Sequence, residues 1–492
     1  MAEQKGRHIV IVGGGTAGSV LAARLSEDDG LWVTLLEAGP DESAYDSSVF
    51  DPARAPDAWL GVCPIARTLM HTDNNAIPIL QGRMLGGTSA VNGLATLRGL
   101  PEDYDGWAAS GLEGWGWQDV VDTFKAAETD MDFGAAPLHG DSGPLTVRRW
   151  RRDEMSHAQL AFLDGMIEAG SDAVADINDP GQLPGIGVFP VTIDADGNRL
   201  TTSLAYLPPA VRQRENLVIR TNSQVTGLHI EGRRAAGVIL ENGEQIEAGE
   251  VVIAAGALWS PVLLMRSGVG PAAHLTDHGI GVVADLPVGE TQHDHLGPGV
   301  PYRHEGPRGG TAGPAQSLYI GASNGTDVDY HLFPIAPAAT DGPTDFNMAA
   351  FLLRSSGQGT VRLGESPEAD PIVTAPPLPD DGMERLRHAF DRLAAWERSD
   401  AFRESGCTPL IPYDLTKPDA VSVAIERGLI SYGHMTGTCP MGSVLDADCR
   451  VLGMEGLRVV DASVMPTIPS GNTYLGCVMI AERVARKMRA GS

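Results

Sequence analysis

The chain has 492 residues, 42% of them hydrophobic and 20% charged, and a formal net charge of −27. That length exceeds one ordinary core and predicts two domains or one large two-part unit. The acidity argues against a nucleic-acid or anionic-membrane partner. Five cysteines (Cys63, Cys407, Cys439, Cys449 and Cys477) are scattered without a CxxC pair. They point away from a disulfide framework or a metal site and toward a reducing compartment.

The opening MAEQKGRHIVIVGGG passes from a polar lead into an apolar run too short for a secretory leader, and no 18-residue apolar stretch follows. A cytoplasmic chain without a membrane segment is expected. His8–Val12 reads as a buried strand, Gly13–Gly18 as a glycine turn, Thr16–Ser26 as a helix and Trp32–Glu37 as a second strand. Gly13-Gly14-Gly15-Thr16-Ala17-Gly18 fits G-x-G-x-x-G at that strand-to-helix junction. Gly13 permits the tight turn, Gly15 admits a pyrophosphate, and Gly18 lets the helix pack on the strand with its N-terminus toward the anion. Glu37 ends the next strand about 20 residues on, where a carboxylate meets a ribose hydroxyl and disfavours NADP. The fingerprint alone leaves NAD and FAD open.

From Pro40 to about Leu80 periodicity fades, and loop with short pieces is expected. Gly82–Gly99 is glycine-rich yet too apolar for a linker. Leu217–Arg220, Gln224–Glu231, Ala235–Glu241 and Glu244–Ala248 read as short strands, and GEVVIAAGA (249–257) as a buried strand ending in small residues. The Pro-, Gly- and Ala-rich stretch from 287 to 380 holds strand-like pieces at Asp329–Phe333 and Thr360–Leu363. Glu384–Ser399 is an amphipathic helix, and the chain closes with a strand at Leu457–Val460 and a helix at Val478–Met488. There is no internal repeat.

Three further segments resemble the glucose–methanol–choline oxidoreductases: GRMLGGTSAVN (82–92), GALWSPVLLMRSGVGP (256–271), and the run 433–481 with GHMTGTCPMG, LRVVDASVMPTIP and SGNTYLGCVMIAE. With the N-terminal fingerprint they span the chain in the family's order. RGLPEDYDGW (98–107) and PLHGDSGPL (137–145) are similar to bacterial members of the 5-hydroxymethylfurfural and aryl-alcohol oxidase kind.

The resemblance implies an α/β fold: a Rossmann-type FAD-binding domain built from discontinuous segments (1–150, 216–286 and 431–492) and a substrate domain (151–215 and 287–430) with an antiparallel sheet and flanking helices. It implies that His434 and Asn472 are catalytic, His434 as general base and Asn472 orienting the alcohol. FAD contacts are implied for Gly13, Gly15, Thr16, Ala17, Gly18, Glu37 and Ala38 at the fingerprint, and for Arg83, Gly86, Gly87, Ser89, Asn92 and Gly93 in the glycine-rich loop. Val225, Ala255, Gly256, Asp461, Ala462, Asn472 and Thr473 complete that set. Val91 stands where some members carry the histidine that tethers FAD, so non-covalent FAD is expected.

The implied reaction is oxidation of a primary alcohol, aryl or furanic, to the aldehyde, with O2 or another acceptor taking the electrons. Alternatives are a dehydrogenase serving a quinone or redox peptide, a non-redox flavin-dependent lyase, and a silent flavin-binding protein. Ser470-Gly471-Asn472-Thr473 is also good helix-capping chemistry, and both readings of Asn472 stand.

Departures from the family pattern fall at Thr96, usually aromatic, in LPVGETQHDH (286–295), and at Tyr474 and Leu475. His293-Asp294-His295 lacks a further ligand at matching spacing and reads as solvated or structural, not as a metal site. Gly140-Asp141-Ser142-Gly143-Pro144 lacks the partners of a hydrolase. Arg148–Arg152 reads as a solvated face and Cys439 as a small buried filler. Arg54, Asp57 and Trp59 receive no role.

Overall fold

In the computed structural model, residues 7–54, 65–72, 75–335, 342–354, 357–366, 369–411, 413–415 and 417–491 are described; Asp57, Trp59 and Cys63 lie outside them. The apolar run Arg7–Val12 becomes the centre of a five-stranded parallel sheet, in the order Leu457–Val459, Glu250–Ile253, Arg7–Val12, Leu31–Leu36, Leu217–Arg220. Both faces are covered, which is why these strands are almost continuously apolar. The helix Thr16–Leu25 packs on one face together with the C-terminal helix Thr473–Ala490. That last helix starts at Thr473, five residues before the expected Val478, with Asn472 at its N-cap position. Beside the parallel sheet lies an antiparallel one of Val225–Glu231, Arg234–Leu240 and Gln245–Glu247.

A second core forms on an antiparallel sheet ordered Cys407–Pro409, Leu296–His304, Thr344–Leu352, Tyr330–Ile335, Ser317–Gly321, Gly185–Val188, with Leu429–Ser431 paired to the start of Leu296–His304. The helices His157–Glu168, Gly382–Glu397 and Pro418–Arg427 flank it. The fold is thus α/β, with a Rossmann-type unit drawn from separated segments and a second unit on an antiparallel sheet. The stretch read as loop from 40 to 80 also departs from expectation, since it holds the hairpin Ile65–His71 with Ala76–Gly82.

An ionic cluster ties residues near both cores. Arg98 pairs with Glu128, and Arg149 pairs with Asp130 and, at 2.8 Å, with Asp176. His139 reaches Glu128 and Asp130 at 2.9 Å through Nδ1 and Asp176 at 2.8 Å through Nε2. The carboxylates are claimed by guanidinium and imidazole groups, as buried charges must be. Arg149 therefore leaves the expected solvated face, to which Arg151 and Arg152 do belong.

Burial pulls the His139 pKa down, but hydrogen bonds to Asp130, Asp176 and Glu128 prevail and lift it to about 10. A folded pKa above the unfolded value of about 6.5 contributes stability that is complete below that value and lost as pH rises through about 10. The thermal midpoint should therefore fall from neutral pH toward about 10, and His139→Gln should flatten that fall. A scanning-calorimetry series against pH measures both.

Candidate active site

The glycine turn closes first. Gly13 has φ +102°, and a Cβ there would lie 2.5 Å from the Ala254 carbonyl oxygen; one on Gly18 would lie 1.8 Å from that of Gly13. No other residue fits either place. Gly18 is therefore a packing residue behind the cavity. Gly86 lies behind it too, donating its N–H to Gly14 O at 2.8 Å.

A cavity of about 640 Å³ runs from this turn to the second sheet, a size suited to a small-molecule cofactor or substrate site. Gly13, Gly15, Thr16, Ala17, Glu37 and Ala38 line one end, with Arg83 and Val225. Gly87, Ser89, Val91, Asn92 and Gly93 line the middle with Ala255, Gly256, Asp461 and Ala462. His434, Asn472 and Thr473 lie on its wall with Phe333, Phe351 and Tyr432.

Glu37 accepts the Gly14 and Gly39 N–H groups, each at 2.8 Å, so it holds the turn as well as facing the cavity. Burial pushes its pKa up against those bonds. Asp461 accepts Gly256 N–H at 2.9 Å, Ser463 N–H at 2.8 Å and the Ser260 hydroxyl at 2.5 Å. It thereby joins the end of one parallel strand to the turn after its neighbour.

This wall suits FAD. Gly15 and Gly87 face each other so closely that a Cβ on Gly87 would lie 2.6 Å from Gly15 Cα, a bare backbone cradle of the kind a pyrophosphate occupies. The N-terminus of Thr473–Ala490 also borders the cavity, and its positive end suits negative charge on a flavin ring.

His434 is set by its neighbours, and an unambiguous acceptor fixes its protonation. His295 Nε2 lies 3.0 Å from the Leu353 carbonyl oxygen, so that nitrogen carries the hydrogen. Burial drives the His295 pKa down to about 3, leaving the ring neutral and Nδ1 bare. Nδ1 lies 2.9 Å from His434 Nδ1, which must then donate. Burial, with His295 and His331 nearby, also holds the His434 pKa well below 6.5. His434 Nε2 consequently carries a lone pair, which accepts the Asn472 amide N–H at 3.0 Å. It is a base.

Asp294 accepts the His434 N–H at 3.0 Å and the Ser431 hydroxyl. His293-Asp294-His295 is buried and lies directly behind His434, so its solvated reading is corrected while its structural one stands. The pattern was visible in the sequence; its partner, 139 positions away, was not. Cys439 is fully buried, and Thr96 is buried outside the cavity lining.

Asp103 was missed altogether. It accepts Leu100 N–H at 2.8 Å and Ser470 N–H at 2.6 Å through one oxygen, and the Ser470 hydroxyl at 2.8 Å through the other. Gly471 packs so tightly on Gly99 that a Cβ would lie 2.5 Å from its nitrogen. The segment 98–107 therefore braces the turn that presents Asn472.

The fold and lining define a flavin-type dinucleotide site with His434 and Asn472 on the wall of its cavity. The GMC oxidoreductase profile matches residues 8–297 and, in its C-terminal part, 355–481. The chain belongs to the GMC oxidoreductase family, FAD enzymes acting on CH–OH groups. It is 35% identical to 5-(hydroxymethyl)furfural oxidase of Methylovorus sp., over 97% of each chain. It is 33% identical to oxygen-dependent choline dehydrogenase 1 of Chromohalobacter salexigens, over 99% of this chain and 96% of that one. The solved structure of pyridoxine 4-oxidase from Mesorbium loti superposes with a TM-score of 0.90 at 31% identity, covering 98% of this chain and 99% of that one. No helix among the described residues is long and apolar enough to cross a membrane.

Asp103→Ala should leave flavin content intact while the freed Ser470 turn shifts Asn472. Turnover should fall roughly 10- to 100-fold, as for an ångström-scale misplacement of a catalytic group. Steady-state rates normalised to bound flavin measure this.

Proposed function

We propose that this chain oxidises an uncharged primary alcohol, aryl or furanic, to the aldehyde with non-covalently bound FAD. The bare His434 Nε2, held at the cavity wall beside Asn472, carries the reading. FAD, when bound, supplies the acceptor for the hydride from the carbinol carbon. His434 takes the hydroxyl proton at Nε2, and Asn472 donates to the alcohol oxygen and orients it. The fingerprint glycines and Glu37 hold the nucleotide end. Asp461, Ala462 and Thr473 would border the flavin, and Val225 would hold its adenine. We assign 1–150, 216–286 and 431–492 to the FAD-binding domain and 151–215 and 287–430 to the substrate domain.

Two observations favour a flat, neutral substrate. Phe333, Phe351 and Tyr432 surround the His434 end. Among the described residues, the carboxylates of the lining are Glu37 and Asp461, both engaged by backbone N–H groups. The relatives act on a hydroxymethylfuran and on choline by name, and this lining supports the first kind. Val91, buried beside Asn92, has no group with which to tether FAD.

Anaerobic mixing with benzyl alcohol or 5-(hydroxymethyl)furfural should bleach the flavin, and air should restore it with peroxide if O2 is the acceptor. His434→Ala should slow bleaching by about 10²–10⁴-fold; an unchanged rate would remove His434 as base. Because burial keeps His434 neutral well below its ordinary pKa, kcat/KM should stay level as pH falls through about 6.5. A decline centred there would contradict the assignment. Acid precipitation should release the flavin into the supernatant, whereas a coloured pellet would mean a covalent link.

A further inference from the structure

Tyr432 carries more than packing. Gly433 has φ +80°, a turn an ordinary residue resists. It folds the chain so that the Tyr432 ring lies on the His434 imidazole, with centroids 4.1 Å apart and planes at 27°. Phe351 covers the other face at 4.2 Å and 15°, and Phe333 stands at 5.3 Å. Both faces of the ring are thus occupied.

What remains is the hydroxyl. Its oxygen is buried without a hydrogen-bond partner, and so is the Asn472 amide oxygen. Burial raises the phenol pKa, and the Asn472 side chain, close by, opposes that rise. Tyr432, His434 and Asn472 all line the same cavity. A buried hydroxyl left unpaired is costly, and in native proteins such a group calls for an explanation, a catalytic role among them.

An alcohol oxygen has one hydrogen to donate and two lone pairs to fill. Its hydrogen takes the His434 Nε2 lone pair, displacing the Asn472 amide N–H, which turns to the alcohol oxygen. One lone pair remains. We propose that the Tyr432 hydroxyl is a catalytic group that donates to the substrate's reacting oxygen beside Asn472 and stabilises the charge that grows there.

This rests on the alcohol-oxidising reading above. In the step, the O–H bond breaks and its proton forms N–H on His434 Nε2. The carbinol C–H leaves as hydride to the family's flavin acceptor, and the carbon–oxygen bond becomes double. Tyr432 keeps its own proton throughout. Its donation strengthens as the oxygen becomes negative, so it assists the transition state more than the bound alcohol.

The test compares the FAD-loaded wild type with Tyr432→Phe, which keeps the ring stack and loses only the hydroxyl. Rapid anaerobic reduction by benzyl alcohol should slow roughly 10- to 100-fold, the range for a hydrogen bond to a charged group. Benzaldehyde affinity, read from the shift it causes in the flavin absorbance, should fall only about 2- to 10-fold, as for a neutral acceptor. Flavin content and thermal midpoint should be unchanged.

Reduction within twofold of wild type would overturn the proposal. So would equal slowing and loss of product affinity, which would mark a mere binding contact. If the wild type is reduced by no alcohol tried, the alcohol-oxidising reading fails by itself, and equal benzaldehyde affinity in the two proteins then overturns the Tyr432 role. Tyr432→Met, also without a hydroxyl, is read in the same way should Tyr432→Phe not fold.

Discussion

Everything at the working end depends on one chain of hydrogen bonds that begins at a peptide carbonyl. Leu353 O can only accept, and that directionality passes through His295 to His434 and leaves His434 Nε2 unprotonated toward the cavity. Burial makes the arrangement hold, because a charged imidazole in that interior would lack the solvation it enjoys in water. The carbonyl lies just beyond the end of Thr344–Leu352 in the antiparallel sheet. His434 belongs to the chain that returns to the parallel sheet, so this hydrogen-bond chain joins segments of both units.

The neighbour of His434 on the cavity wall is held by different means. Asn472 sits at the N-cap position of the C-terminal helix, but its side chain bonds His434 and no backbone N–H of the helix, so the capping chemistry expected of it is not made. The turn before it is fastened by Asp103, while Arg98, in the same segment, enters the ionic cluster around His139. Neither Asp103 nor Arg98 lines the cavity. Their contribution in the proposed reaction is position, which for a proton and a hydride leaving one carbinol group matters as much as chemistry.

The nucleotide end was legible because its determinants are local. Three glycines, a small helix start and a carboxylate about 20 residues on report a strand–turn–helix–strand unit within a short window. What sequence could not display was pairing across distance. Asp103 meets Ser470 at a separation of 367 positions and His295 meets His434 at 139. The hairpin Ile65–Gly82 was hidden by Pro78 within one strand and by the polar residues between the strands, since proline lacks the N–H of a ladder. Arg149 looked solvated among arginines, yet Asp130 and Asp176, from other segments, draw it inward. Tyr432 gave no signal of its own, because a lone tyrosine before a glycine says nothing of the rings that will cover it.

The role proposed for His434 depends on its protonation. Nitrogen NMR of the protein carrying ¹⁵N-labelled histidine, with His434 assigned by comparison with His434→Gln, reads the two ring nitrogens separately. The prediction is a neutral ring at neutral pH, with the hydrogen on Nδ1 and a bare, pyridine-like Nε2. A hydrogen on Nε2, or a charged ring at that pH, would contradict the chain from Leu353 and with it the base assigned here.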